Sequence, residues 1–139
     1  MSWTVYALLS AFFAALTAIL AKIGIKGVDS NLATAIRTVV ILVFAWSIVA
    51  AQGTFKQLPT LNSKTITFLI LSGLATGASW LCYFHALKLG PASKVAPLDK
   101  LSVPIAVLIA VLFLKESVSW QGWAGILMIT GGALLLLKA

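Results

Sequence analysis

Four charged side chains lie within or at the ends of long apolar runs, where a charge is costly. They are Lys22, Arg37, Asp99 and Lys100. Charges inside hydrocarbon are rare and commonly mark a substrate or ion pathway. Three bases against one acid leave a local excess of positive charge, which favours an anionic or zwitterionic solute.

Their depths, estimated from the predicted helices, place Arg37 and Asp99 in one layer with Lys22 close by. Each of the first two lies about seven residues inside its helix, or about 10 Å from the end at 1.5 Å per residue. An ion pair of Asp99 with Arg37 or Lys22 would lower the cost of burying either charge. Two compatible interpretations follow: a structural network with lysines reaching to the interface, or the lining of a translocation cavity.

The third apolar run ends with the aromatic residues Trp80 and Tyr83 and the single histidine, His85. Together with Phe84, these aromatic side chains either line a pocket or anchor the helix at the membrane boundary. His85 either relays a proton or forms an ordinary hydrogen bond near the interface. We include Trp80, Tyr83 and His85 among the candidate pathway residues.

Residues for catalysis or metal binding are not arranged together in the sequence. Cys82 is the only cysteine, no acid pair lies within plausible reach, and no phosphate-binding glycine loop follows a strand. The sequence therefore predicts neither an enzyme nor a cofactor nor a metal site.

The composition predicts a membrane protein. Of 139 residues, 61% are hydrophobic and 9% are charged, whereas soluble domains carry about 25% charged residues. Such a chain cannot build a soluble surface, so nucleic acid is not expected as a partner despite the net charge of +7. The length allows one transmembrane domain over residues 1–139.

The apolar runs predict an all-α bundle of five transmembrane helices. A membrane β-barrel would show alternating polar and apolar residues, which are absent. Asp29, Ser30 or Asn31 can cap the second helix. The predicted spans are 3–21, 32–51, 65–87, 92–114 and 120–137.

Prolines and glycines distinguish individual helices. Pro97 and Pro104 each remove a backbone donor, so the fourth helix can bend or open there. Small residues let helices approach closely, either inside one bundle or between two protomers. The fifth helix is the better candidate for contact between protomers. The glycines in question are Gly73, Gly77, Gly122, Gly125, Gly131 and Gly132.

Basic residues predict the orientation, since lysine and arginine collect on the cytoplasmic side. The side of the N-terminus holds Lys56, Lys64 and Lys115. The opposite side holds Lys22, Lys26, Lys88, Lys94 and Lys138, with Arg37 and Lys100 near it. We therefore expect the C-terminus in the cytoplasm and the N-terminus outside.

From Tyr83 onward the chain resembles the EamA domain of the drug/metabolite transporter superfamily, and the first half resembles its single-repeat, five-span members. Lys115 stands where the family usually has glycine before the glutamate. The positions that carry the resemblance are Tyr83, Ala86–Leu87, Gly90–Pro91, Ala92–Ser93, Pro104, Lys115–Glu116 and Gly122–Gly132.

The resemblance implies a dimeric transporter. Full-length relatives have ten spans in two inverted repeats, so a one-repeat chain would pair as a homodimer or with a sister subunit. The route would then lie between repeats near the bilayer midplane. The related four-span multidrug exporters use a glutamate in the first helix, and residues 1–21 here contain no acid.

Two functions follow as hypotheses. The first is a secondary transporter, or half of one, that moves a small solute or metabolite across the cytoplasmic (inner) membrane by alternating access. The second is a non-transporting membrane subunit that stabilises or orients a partner protein. Membrane lipid surrounds the chain in both cases.

Overall fold

The computed structural model describes residues 2–138, and this part of the chain is helical without strands. Five segments are long and apolar enough to cross a membrane, which confirms the predicted all-α membrane fold. A short 3₁₀-helix, Thr54–Thr60, follows the second span. The α-helices are α1 (Trp3–Gly24), α2 (Ser30–Gln52), α3 (Ser63–Leu89), α4 (Ala92–Asp99), α5 (Ser102–Phe113) and α6 (Trp120–Lys138).

The described residues group into two compact units. The α2–α3 unit comprises Ala21–Lys88, which includes the last residues of α1. The α4–α6 unit comprises residues 2–20 and 89–138. Each unit contains its own set of the candidate residues.

Defined caps at both ends set the length of α2. The Asp29 carboxylate accepts hydrogen bonds from the backbone N–H groups of Asn31 at 2.9 Å and Leu32 at 3.1 Å. This satisfies two of the donors that a helix start leaves unpaired, so α2 begins two residues before the predicted position. Gly53 ends the helix in the left-handed conformation, with φ of 66°, which glycine adopts without steric cost.

Few side chains of the α2–α3 unit are shielded from the surroundings. Phe84 and Leu87 of α3 are buried, as are Ser30 and Thr34 at the start of α2. At the opposite end of α2, Trp46 stacks on Phe55 of the 3₁₀-helix with ring centroids 5.1 Å apart. Most other large apolar side chains are exposed, as expected for helices that face lipid.

In the α4–α6 unit, the fourth predicted span is not one helix. It is divided into α4 and α5 by Lys100 and Leu101. Pro104 has no N–H to donate to the Lys100 carbonyl, which instead accepts from Val103 at 3.0 Å. The Lys100 N–H in turn bonds to Pro97, three residues back rather than four, also at 3.0 Å. The tightened turn separates the two segments.

The turn between α5 and α6 contains an unusual backbone conformation. Lys115 has φ of 56°, the one non-glycine residue between 2 and 138 with a positive φ. This is the position where the resembled family usually has glycine. After the turn, the Ser119 hydroxyl accepts from the Gly122 N–H at 3.2 Å, which caps α6. A Cβ on Gly122 would lie 2.7 Å from the Val118 side chain, so glycine permits this close approach.

Candidate functional site

Arg37 of α2 lies against two aromatic rings of α3. Its guanidinium carbon is 4.5 Å from the centroid of the Phe84 ring and 5.2 Å from that of Trp80. Both distances are within the range of cation–π attraction, about 6 Å. Trp80 and Phe84 are four residues apart and share one face of the helix. The two rings therefore hold the charge about 10 Å inside α2.

Lys22, near the end of α1, contacts the end of α3. Its ammonium group donates a hydrogen bond to the backbone carbonyl of Leu87. The last carbonyls of a helix have no partner within it, and a cation is favoured there by the helix dipole. This contact gives Lys22 a structural role at the α3 terminus.

His85 contacts the start of α2. Its Nδ1 atom is 3.2 Å from the hydroxyl of Ser30, whose side chain is buried. The neighbouring Asp29 has a pKa below its ordinary value, because backbone N–H groups of Leu32 and Asn31 bond to its charged form. The structure thus gives His85 the hydrogen bond that one of the two sequence interpretations expects.

A groove of about 370 Å³ also lies between α2 and α3. The hydroxyls of Thr34 and Thr38 donate to the carbonyls of Ser30 and Thr34, each at 2.8 Å. Because these donors are used within α2, they offer little polarity to the groove. Its lining residues are Asn31, Thr34, Ala35, Thr38, Val39, Leu42, Gly77 and Leu81.

Asp99 and Lys100 occupy the break of the fourth span in the α4–α6 unit. The Lys100 ammonium is 3.4 Å from the Asp99 carboxylate, and the two side chains are 53% and 37% exposed. The carboxylate thus has its basic neighbour as a partner at the point where the helix is interrupted. Whether this pair shares a layer with Arg37 and Lys22 stays a prediction.

Most of the predicted packing glycines face open space. A Cβ on Gly73, Gly77, Gly125, Gly131 or Gly132 would meet no atom within 4 Å among the described residues. Gly122 differs, since it accommodates the Val118 side chain. The open faces lie on α3 and α6, and no intrachain neighbour fills them within the described part of the chain.

Two of these contacts were not predicted from the sequence. Phe84 is the ring closest to Arg37, and Ser30 is the partner of His85. A helical pattern could have indicated both, because Ser30 and Arg37 are two turns apart on α2 and Trp80 and Phe84 are one turn apart on α3. The predicted Tyr83 lies beside Phe84, with ring centroids 6.2 Å apart.

A model of the EamA-like transporter family matches residues 1–138. The chain belongs to this family. Within residues 2–138, no group of three or more His, Cys, Asp or Glu side chains could hold a metal ion. Because it matches this family and has five helices long and apolar enough to cross a membrane, the EamA-like chain is a multi-pass membrane protein of a transporter family.

Two relatives are similar to this EamA-like chain. An uncharacterised transporter encoded in the cobO 3′ region of a Sinorhizobium species is 55% identical over 135 residues, or 97% of this chain and 96% of the relative. An uncharacterised protein of Methanocaldococcus jannaschii is 33% identical over 82 residues, or 59% of this chain and 60% of the relative. No solved structure matches the chain.

Proposed function

We propose that this EamA-like chain is half of a secondary transporter in the cytoplasmic membrane. Two such chains, either identical or a chain and a sister subunit, pair and move a small solute by alternating access.

The interrupted fourth span carries the proposal. α4 and α5 are separated at Lys100, and the Asp99 carboxylate lies at the end of α4. Discontinuous helices expose backbone carbonyls and concentrate charge near the midplane, and transporters commonly build their sites from them. Such a break also provides a position where a span can change its bend.

Pairing is supported by the number of spans and by the open helix faces. The chain has five spans, and the family resemblance implies ten in full-length relatives. Gly125, Gly131 and Gly132 of α6 have space around them, and small residues allow close helix contact where lipid removes the hydrophobic driving force. We therefore assign α6 as the pairing helix.

The distribution of lysines supports the orientation. Five lysines lie in the loops or near the helix ends on the C-terminal side, against three on the other side. The positive-inside rule then gives a cytoplasmic C-terminus and an external N-terminus. The moderate excess permits a fraction of chains to insert the opposite way, as an inverted homodimer requires.

A pair of C-terminal reporter fusions tests the arrangement. Green fluorescent protein fluoresces when the C-terminus is cytoplasmic, and alkaline phosphatase is active when it is periplasmic. Activity of both reporters would support an inverted homodimer. Fluorescence alone would reject the inverted homodimer and leave pairing with an oppositely oriented sister chain.

Reconstitution separates transport from the other hypothesis. The purified chain, alone or with such a sister, is placed in liposomes containing labelled organic anions, and efflux is measured. Efflux above that from empty liposomes supports the transporter. Membrane insertion without efflux of any solute would favour a subunit that only stabilises or orients a partner.

A further inference from the structure

The Arg37 guanidinium lies close to two aromatic rings of α3. A guanidinium is planar and carries five N–H donors around its edge. Contact with the Phe84 ring at 4.5 Å and the Trp80 ring at 5.2 Å uses the charge without using those donors. The donors therefore still require acceptors.

No residue of the described α2–α3 unit forms a hydrogen bond with these donors. Among residues 21–88, the interactions of Arg37 are the contacts with the two rings and an electrostatic interaction with Tyr83. The only acid of the unit is Asp29, and its carboxylate is engaged at the start of α2. Arg37 is eight residues further along, or about 12 Å along the helix axis.

Basic residues also outnumber acidic residues in the unit. Residues 21–88 contain six Lys and Arg side chains against this single aspartate. A charge at the centre of a span costs about 2.5–3.5 kcal/mol or more, and the two rings offset part of this cost. A bound anion would supply both the missing charge and the missing acceptors.

We propose that Arg37, held by Phe84 and Trp80, binds the carboxylate of a monoanionic organic solute. A carboxylate presents two oxygens that match two parallel N–H groups of a guanidinium. One carboxylate neutralises one guanidinium, whereas a phosphate dianion would leave a second negative charge within the span. The other base near this end of the unit, Lys22, already donates to the Leu87 carbonyl.

This inference rests on the proposed transport function, since it names the solute class that the site would receive. The carboxylate site can nevertheless be refuted while the proposed transport function stands. A chain that pairs and transports neutral or cationic solutes would retain the proposed function and would refute a carboxylate site at Arg37.

The sequence offers a direct probe, because Arg37 is the only arginine among 139 residues. Labelling with ¹⁵N-arginine therefore gives one side-chain Nε signal in the NMR spectrum of the full chain in nanodiscs. We would titrate this sample with hippurate, a monocarboxylate, with its neutral amide hippuramide, and with phenyl phosphate. We expect hippurate to shift the Nε signal saturably and to bind at least about tenfold more tightly than hippuramide.

Two results would overturn the assignment. An Nε signal that responds equally to hippurate and hippuramide, or to neither, would show that Arg37 does not recognise a carboxylate. Tighter binding of phenyl phosphate than of hippurate would show that the site takes a dianion.

An Asp99→Asn variant excludes an internal occupant. If Asp99 is the carboxylate that pairs with Arg37, this substitution moves the Nε signal before any ligand is added, and hippurate binds only to the variant. That result would replace the solute with Asp99. An unmoved signal in the ligand-free variant would support the proposal, and this measurement does not depend on a variant of Arg37 folding.

Discussion

The two units of the chain differ in how the backbone and the neighbouring side chains surround a charged residue within a span. In the α2–α3 unit, Arg37 lies in an uninterrupted helix and its charge is covered by the rings of Trp80 and Phe84. In the α4–α6 unit, Asp99 lies where the span is interrupted, and its partner is the adjacent Lys100. The backbone hydrogen bonds of the helix are regular around Arg37, whereas they are interrupted next to Asp99.

The difference shows what each charge requires. A guanidinium can be held by aromatic faces, so the backbone around Arg37 needs no adjustment. A carboxylate accepts hydrogen bonds and gains nothing from the negative face of a ring. Asp99 instead has a basic neighbour in a segment where prolines free backbone carbonyls. We therefore expect α2–α3 to hold a fixed binding group and α4–α5 to provide the conformational change.

The largest expected effect is the loss of transport when either charge is neutralised. Arg37→Gln and Asp99→Asn should each lower the rate of efflux from proteoliposomes by at least about tenfold, or about 1.4 kcal/mol. Labelled monocarboxylates would serve as cargo, and the amount of protein in the membrane should not change. As matched controls, Lys56→Gln and Glu116→Gln alter charges outside the spans and should leave the rate near that of the wild type. Normal efflux by both span variants would refute a role for these charges in the pathway.

These same residues show how far the sequence alone could lead. Long uncharged runs are sufficient to predict five spans, because hydrocarbon admits few alternatives to a helix. The residue types also identified Arg37 and Asp99 as unusual. The contacts of Arg37 and Lys22 were harder to predict, since Phe84 contributes a ring face and Leu87 a backbone carbonyl. A backbone carbonyl is not distinguished in a sequence from the many others around it.

The next prediction concerns the break between α4 and α5. Replacing both Pro97 and Pro104 by alanine restores two backbone donors, so α4 and α5 should join into a continuous helix. Since proline inside a helix costs about 3 kcal/mol, we expect the variant to be stabilised by about 1–3 kcal/mol and to transport more slowly. Thermal unfolding in detergent and proteoliposome efflux measure the two effects. Pro59→Ala, in the 3₁₀-helix, is the control that should change neither; faster efflux from the double variant would show that the break is not needed.

A change in the ring that contacts Arg37 should have a moderate effect. Phe84 is 2% exposed, so Phe84→Leu removes both buried area and the ring face, and we expect a loss of about 1–2 kcal/mol of stability. The hippurate-induced shift of the Arg37 Nε signal should weaken as well. Phe68→Leu provides a matched control on the same helix, because Phe68 is 62% exposed. Equal effects of the two substitutions would indicate ordinary packing and no special contact with Arg37.

The turns of the two units differ too, and the one in the α4–α6 unit can be improved. Lys115 has φ of 56°, a conformation that favours glycine. Lys115→Gly should therefore raise the free energy of unfolding by about 0.5–1 kcal/mol. The adjacent Leu114 has φ of −93°, so Leu114→Gly should lower stability by a similar amount. A destabilised Lys115→Gly variant would show that the Lys115 side chain, and not the backbone conformation, determines the turn.

The smallest effect concerns the corresponding turn of the α2–α3 unit, where Asp29 caps α2. Backbone N–H groups of Leu32 and Asn31 hold the pKa of its carboxyl below the ordinary value of 3.8. Because the folded pKa is the lower one, the charged cap contributes stability above the unfolded pKa and loses that contribution as the pH falls through the folded pKa. Asparagine also caps helices but does not titrate, so Asp29→Asn should be slightly less stable than the wild type near neutral pH and should approach the wild type as the pH falls below 3.8. The difference between the two unfolding temperatures, measured from pH 7 to pH 3, isolates Asp29 from the other two acids. A difference that does not change with pH would mean that the Asp29 charge adds nothing to a cap that α2 obtains from hydrogen-bond geometry alone.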